Sequence, residues 1–279
     1  MPAILYRLLN VFAESTFGGN PLAVIEDGSA LSDEEMQLVA RQFNLSETTF
    51  LLPSDRAAAR VRIFTPTYEM AFAGHPTLGS AQVVRELFRT GDAFELEMKA
   101  GLIPVRCAGG RWTLNANTPT WRPMQASPAE LAAMLNLPED AIRGPALWVD
   151  CGTEQPMIPL ASVEHVHACR PDPALVAKFS VNKAGQPKTY VFARTPEGFE
   201  SRYFWMGAPG GISEDPGTGS ACANLGGWWL ATRGDQPLNA QVRQGTVINR
   251  PNLLTLQVTD GRIAVGGRVI ELGKGELRW

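Results

Sequence analysis

The chain has 279 residues, 44% apolar and 19% charged, so it is long enough for one or two domains and too apolar to be a disordered polymer. Its formal net charge of −3 gives no reason to expect a nucleic-acid partner. No stretch approaches the roughly 20 apolar residues needed to cross a bilayer, and the first residues lack the basic, apolar and small-residue order of a secretion signal. A soluble cytoplasmic protein is the expectation.

In chain order, Ser32 with Glu35 three residues on forms a capping-box signal, and Met36, Val39, Ala40 and Phe43 follow at helical spacing. Residues 59–64 alternate until Pro66 and predict a half-buried strand. A helix is predicted from about Thr77 to Phe88, burying Leu78, Ala81, Val84 and Phe88 and stopping near Gly91. Phe94, Leu96 and Met98 alternate with charged residues as a second strand, and Ala108-Gly109-Gly110 predicts a hairpin turn. Trp121-Arg122-Pro123 reads as a crossover linker. Ser127-Pro128-Ala129-Glu130 then opens a helix through Leu135, with proline at its first position.

Further along, residues 147–149, 189–193 and 201–205 predict strands. A helix is expected from about Thr218 to Thr232, ending at Gly234, with Leu225, Trp228, Trp229 and Leu230 spreading apolar bulk around it. Asp260-Gly261 between two apolar runs is a strong hairpin signal. His165-Val166-His167 would place two imidazoles on one side of a strand, or else lie in a loop before Pro171. Cys107, Cys151, Cys169 and Cys222 form no CxxC pattern, so neither a metal site nor a disulfide is expected, which suits a reducing compartment.

Two segments half the chain apart nearly repeat one another: Gly74-His75-Pro76-Thr77-Leu78-Gly79-Ser80-Ala81 and Glu214-Asp215-Pro216-Gly217-Thr218-Gly219-Ser220-Ala221. Each sets an ionisable residue and a proline ahead of small residues that open a helix, and small residues at a helix start expose backbone N–H groups to an anion. The expected architecture is α+β, with two pseudo-symmetric domains. Each is a curled, mostly antiparallel sheet wrapped around its central helix, which would close the sheet's edges. The first domain would span residues 1–118 and be completed by a C-terminal strand at about 266–279; the second would span 119–265.

The chain resembles the PhzF family of phenazine-biosynthesis-like isomerases, which share a fold with diaminopimelate epimerase and proline racemase. The matching pieces are Phe12 with the run from Phe17-Gly18-Gly19-Asn20-Pro21 to Val24, then Asn44-Leu45-Ser46-Glu47-Thr48-Thr49-Phe50, and Arg62-Ile63-Phe64-Thr65-Pro66. They continue through Glu69 to Thr77, Asp150-Cys151-Gly152, Glu214 to Ala221, and Gln244-Gly245 with Arg250-Pro251. The resemblance implies an active site between two similar domains, usually a homodimer, and proton transfer on a small carboxylate without metal or organic cofactor. It implies Glu47 as the main acid/base, with His75 and Asp215 flanking the substrate. Three departures fall on expected pocket edges: Gly217 where alanine is frequent, Asn249-Arg250-Pro251-Asn252 where Gly-Arg-Pro-Ser is usual, and Cys151 where threonine is common.

Without the resemblance, Glu47 also reads as a solvated carboxylate between a helix and a strand, His75 as a loop histidine bonded to a carbonyl, and Asp215 as a cap on the following helix. Catalytic candidates are Glu47, His75 and Asp215, and substrate-binding candidates are Asn20, Ser46, Gly74, Pro76, Thr77, Gly217, Thr218, Gly219 and Ser220. Neither signature loop carries a Gly-Lys-Ser/Thr phosphate loop, and Gly-Gly at 18–19 and 210–211 lacks a dinucleotide frame. Cys222, inside a predicted helix, reads as a small buried hydrophobe and not as one of a facing thiol pair. The function expected is isomerisation of a small carboxylate or amino-acid-like substrate, cyclic ones included. A racemase, an epimerase, a hydrolase or an inactive binding protein remain the alternatives.

Overall fold

The capping box at Ser32 forms as written: its side chain accepts from the Glu35 N–H while the Glu35 carboxylate accepts from the Ser32 N–H. A computed structural model describes residues 3–207 and 211–278, so Gly210 of the second Gly-Gly pair lies outside the described residues. The chain folds as two compact units, one running to Asn115 and completed from Gly266 onward, the other spanning Ala116–Val265.

The first unit contains β1 (Ala3–Val11), β2 (Asn20–Ile25), α1 (Asp33–Phe43), β3 (Thr48–Leu52), β4 (Arg60–Phe64), β5 (Glu69–Met70), α2 (Gly74–Phe88), β6 (Ala93–Met98), β7 (Gly101–Ala108) and β8 (Arg111–Asn115). The second contains β9 (Thr120–Pro123), α3 (Pro128–Leu135), β10 (Leu147–Asp150), β11 (Glu154–Pro159), α4 (Val163–Ala168), α5 (Pro173–Phe179), β12 (Lys188–Thr195), β13 (Gly198–Met206), β14 (Ile212–Asp215), α6 (Gly219–Arg233), β15 (Leu238–Gln244) and β16 (Asn252–Thr259). A last long strand, β17 (Arg262–Arg278), supplies the residues that complete the first unit.

In the first unit the pairings close on themselves. β1 pairs with β2, β2 with β3, β3 with β4, β4 with β6, β6 with β7 and β7 with β8; β17 then pairs with both β8 and β1. A closed ring leaves no unpaired edge among these strands. The β2–β3 and β4–β6 pairs are parallel, so the sheet is mixed. Helix α2 packs against β1, β2, β3, β4 and β8, and its residues from His75 to Ala81 are all buried. On another side, α1 lays Met36, Val39 and Ala40 over Ile4, Ile25, Phe50 and Phe64.

Gly79 of α2 allows this close approach. A β-carbon there would overlap Leu22 Cδ2 and sit 3.0 Å from Val11 Cγ2, both in side chains with no solvent exposure. Glycine to alanine normally favours an exposed helix by up to about 1 kcal/mol. Here Gly79→Ala is expected to lower stability by about 1–3 kcal/mol in urea denaturation, because the surrounding core has no room to move.

The second unit runs β9–β10–β11–β12–β13–β15–β16, with parallel pairs at β11–β12 and β13–β15. Helix α6 packs against β9, β10, β11 and β16, and every residue from Ala221 to Trp229 is buried. A separate cluster of Leu131, Met134, Trp148, Ile158, Val166, Val176 and Val191 holds α3, α4 and α5 on the sheet. Among the described residues, no helix is long and apolar enough to cross a membrane.

Both hairpin signals form with the backbone they need: Gly109 and Gly110 have φ of 57° and 75°, and Asp260 and Gly261 have φ of 51° and 71°. Four local expectations change. The second helix begins at Gly74, before Thr77, so His75 lies within its first turn. Phe88 is 54% exposed because the last turn of α2 emerges into solvent. Residues 120–123 form a strand because they pair with β10, which local sequence did not reveal. His165 and His167 lie on α4, started by the Ser162 side chain, which accepts from the His165 N–H; His167 Nε2 is 3.0 Å from Glu200 Oε1.

Candidate active site

In the first unit, Glu47 follows the turn after α1 and immediately precedes β3; its side chain is 15% exposed. His75 is the second residue of α2, and its Nε2 lies 3.4 Å from Glu47 Oε2. The imidazole donates a hydrogen bond to the Pro21 carbonyl, just after Asn20 opens β2. Nε2 makes no hydrogen bond among the described residues, so the donor is Nδ1. Full burial then pushes the imidazole pKa down to about 3, against a smaller opposing effect of the Pro21 bond.

The tautomer follows from these facts. His75 is neutral with its proton on Nδ1, and its unprotonated Nε2 lies 3.4 Å from a Glu47 carboxyl oxygen with no hydrogen bond between them. The bare Nε2 is an acceptor within reach of that carboxyl group, to which a protonated Glu47 can donate after a small rotation. Such a carboxyl group is suited to carrying its proton in one half of a catalytic cycle and releasing it in the other.

A pH dependence results. The unfolded His75 binds a proton below about pH 6.5, whereas the folded one does so only near pH 3. The stabilisation is whole above pH 6.5 and is lost as pH falls through that window, by up to about 1.4 kcal/mol per pH unit. Denaturation series at several pH values should show a shallower acid-side slope in His75→Gln than in the parent.

The other first-unit candidates differ in placement. Asn20 is 1% exposed and pairs with Val11, Ser46 is exposed in the turn before Glu47, and Gly74 is half-buried at the start of α2. Pro76 and Thr77 are buried, and the Thr77 hydroxyl donates to the Ala73 carbonyl at 2.7 Å. Ala73 at the head of α2 offers no side-chain cap. An uncapped helix start leaves N–H groups that favour an anion.

In the second unit, Asp215 ends β14 and does not serve as the cap of α6; that position is Thr218, which makes no side-chain cap bond. The Thr218 hydroxyl instead donates to the Asp215 carboxylate. Gln244 organises the turn from the end of β15. Its Nε2 donates to the Asp215 carbonyl at 2.8 Å and to Thr218 Oγ1 at 2.9 Å, and its Oε1 accepts from the Thr218 N–H at 3.2 Å. Gly217 and Thr218 are buried, whereas Gly219 and Ser220 at the start of α6 are half-buried. Cys222 is fully buried and its thiol is pushed up by that burial, which suits a packing role.

Two of the unusual residues belong together. A β-carbon at position 217 would overlap Asn252 Oδ1 and lie 2.6 Å from its Cγ. Glycine at 217 therefore makes room for the longer side chain at 252, and the two departures are one steric adjustment. In the sequence, Gln244 and Pro21 stand only as parts of motifs, and the role of Gln244 emerges from its burial at the end of β15. Nothing local marks the Pro21 carbonyl as a histidine partner.

The phenazine biosynthesis-like protein (PhzC-PhzF) model matches residues 9–274. An uncharacterized isomerase of Pasteurella multocida is 40% identical to this chain, covering 98% of it and 93% of its own length. The trans-2,3-dihydro-3-hydroxyanthranilate isomerase of Pseudomonas aeruginosa is 34% identical, covering 88% of this chain and 87% of its own. In structure, a PhzF-family phenazine biosynthesis protein of Bacillus anthracis superposes with a TM-score of 0.90 over the whole of both chains at 24% identity, a likeness of fold. This chain belongs to the phenazine biosynthesis-like (PhzF) family and is an isomerase.

Proposed function

We propose that the protein moves a proton between two carbons of a small, cyclic, amino-bearing carboxylate by general acid/base catalysis, without metal or organic cofactor. The observation that carries this reading is the contact of Glu47 with a neutral His75 whose proton is held on Nδ1 by the Pro21 carbonyl. Glu47 takes the proton from one carbon and delivers it to the other on the same face. His75 orients the carboxyl and receives its hydrogen bond when it is protonated. Asp215, with Thr218, Gly219 and Ser220, holds the acid and its amino group, and the uncapped helix starts favour the carboxylate and the enolate-like charge that develops as the proton leaves.

The family relatives named for isomerising trans-2,3-dihydro-3-hydroxyanthranilate supply the first substrate to try. Incubation with that acid should yield an isomer of unchanged mass by liquid chromatography and mass spectrometry. A product that has gained water or lost ammonia, or no conversion at all, would count against the proposal.

A further inference from the structure

Asn224 lies in the middle of α6 and Gln155 in β11; both are polar side chains with 0% and 1% exposure in otherwise apolar surroundings. Buried amides are costly unless every group is bonded, and here the bonds fix a direction. Asn224 Oδ1 accepts from the Cys151 N–H at 2.8 Å, and Nδ2 donates to the Thr153 carbonyl at 2.8 Å. A backbone N–H only donates and a carbonyl only accepts, so the Asn224 amide has one possible orientation. Its Nδ2 also donates to Gln155 Oε1 at 2.8 Å, which fixes the second amide in turn. Gln155 Nε2 is left facing Ser220 Oγ at 3.0 Å and must donate to it.

The Ser220 oxygen is thus an acceptor from within the protein, and among the described residues its proton has no protein acceptor. Ser80, at the matching position of the repeated motif, is different. It is fully buried, and its hydroxyl donates to Thr49 Oγ1 at 2.9 Å, so its proton is spent inside the fold.

We propose that Asn224 and Gln155 are positioning residues that set the polarity of Ser220, so that its hydroxyl donates to an anionic oxygen of the substrate. This rests on the carboxylate-isomerase reading above. The chain of amides starts from backbone groups at 151 and 153, so the loop after β10 is part of the same device. Its rigidity comes from a buried network in which each amide's orientation is fixed by the next bond.

The test is a double-mutant cycle on conversion of trans-2,3-dihydro-3-hydroxyanthranilate, with thermal melts to confirm folding. Ser220→Ala and Gln155→Leu should each lower kcat/KM, the first by about 10- to 100-fold, the usual loss when a hydrogen bond to a charged oxygen is removed. On the Ser220→Ala background, Gln155→Leu should change it by less than about twofold. Gln155→Glu keeps the shape but places an acceptor against the serine. It should be worse than Gln155→Leu at neutral pH and should recover as acid protonates the new carboxyl and makes it a donor. Equal losses from Gln155→Leu on both backgrounds, or full activity in Ser220→Ala, would overturn the proposal. If the parent converts the acid and Glu47→Gln does not, those results would still leave the proton-transfer reading standing. A parent enzyme that neither binds nor converts the acid overturns both.

Discussion

Glu47→Gln is expected to lower turnover by about 10²–10⁴-fold, the range that a positioned acid/base supplies, with substrate affinity by calorimetry almost unchanged. Glutamine keeps the size and planarity of the side chain, and its amide N–H can still donate to the His75 lone pair. What it lacks is a proton that can be lost and regained. Affinity should survive because the acid's negative end is held elsewhere. Full activity in this variant would reject Glu47 as the acid/base. Collapse of binding and turnover together would instead assign it to ligand recognition.

The second large effect is expected at Arg202, on β13. Its Nε and Nη2 donate to both oxygens of Glu214 at 3.0 and 2.7 Å, and its Nη1 donates to the carbonyls of Val166, His167 and Cys169 at 3.2, 3.2 and 2.7 Å. The two side chains are only 5% and 10% exposed. Arg202→Leu strands the buried Glu214 carboxylate and removes a donor from the Val166 carbonyl, while the carbonyls of His167 and Cys169 keep Arg170 as a donor. Loss of one partner from such a pair costs about 3–5 kcal/mol. Glu214 directly precedes Asp215 on β14, so activity should fall along with stability. In urea denaturation, a second change, Glu214→Leu, should recover part of the loss by removing the stranded charge. A cost under about 1 kcal/mol, as for a surface pair, would show that the pair is not a buried one.

These predictions use features that were unequally legible in sequence. Helix starts at Ser32 and Ser127 and the turns at Gly109-Gly110 and Asp260-Gly261 were readable because capping and left-handed turns depend on a few adjacent residues. The repeated motif marks the starts of the two helices whose residues 75–81 and 221–229 are buried. The sequence leads one to expect a C-terminal strand that completes the first unit, but its partners, β1 and β8, are not readable from local pattern, because β17 pairs with β1 across most of the chain's length. The strand at 120–123 has no local signal, because it is defined only by its pairing with β10. At the candidate site, the resemblance to the PhzF family points to Glu47 and His75, whereas the residues alone leave Glu47 readable as a solvated carboxylate. The neutral tautomer that gives their contact chemical meaning depends on the Pro21 carbonyl, a backbone group with no sequence signature. The match between Gly217 and Asn252, 35 positions apart, likewise needed coordinates.

The most direct test of the account is a crystal structure of the Glu47→Gln protein with trans-2,3-dihydro-3-hydroxyanthranilate trapped in it. The account predicts the side-chain amide of residue 47 at about 3–3.5 Å from both carbons that exchange the proton, the separation of a reactive arrangement. An acid bound with either carbon beyond the reach of that side chain would contradict it.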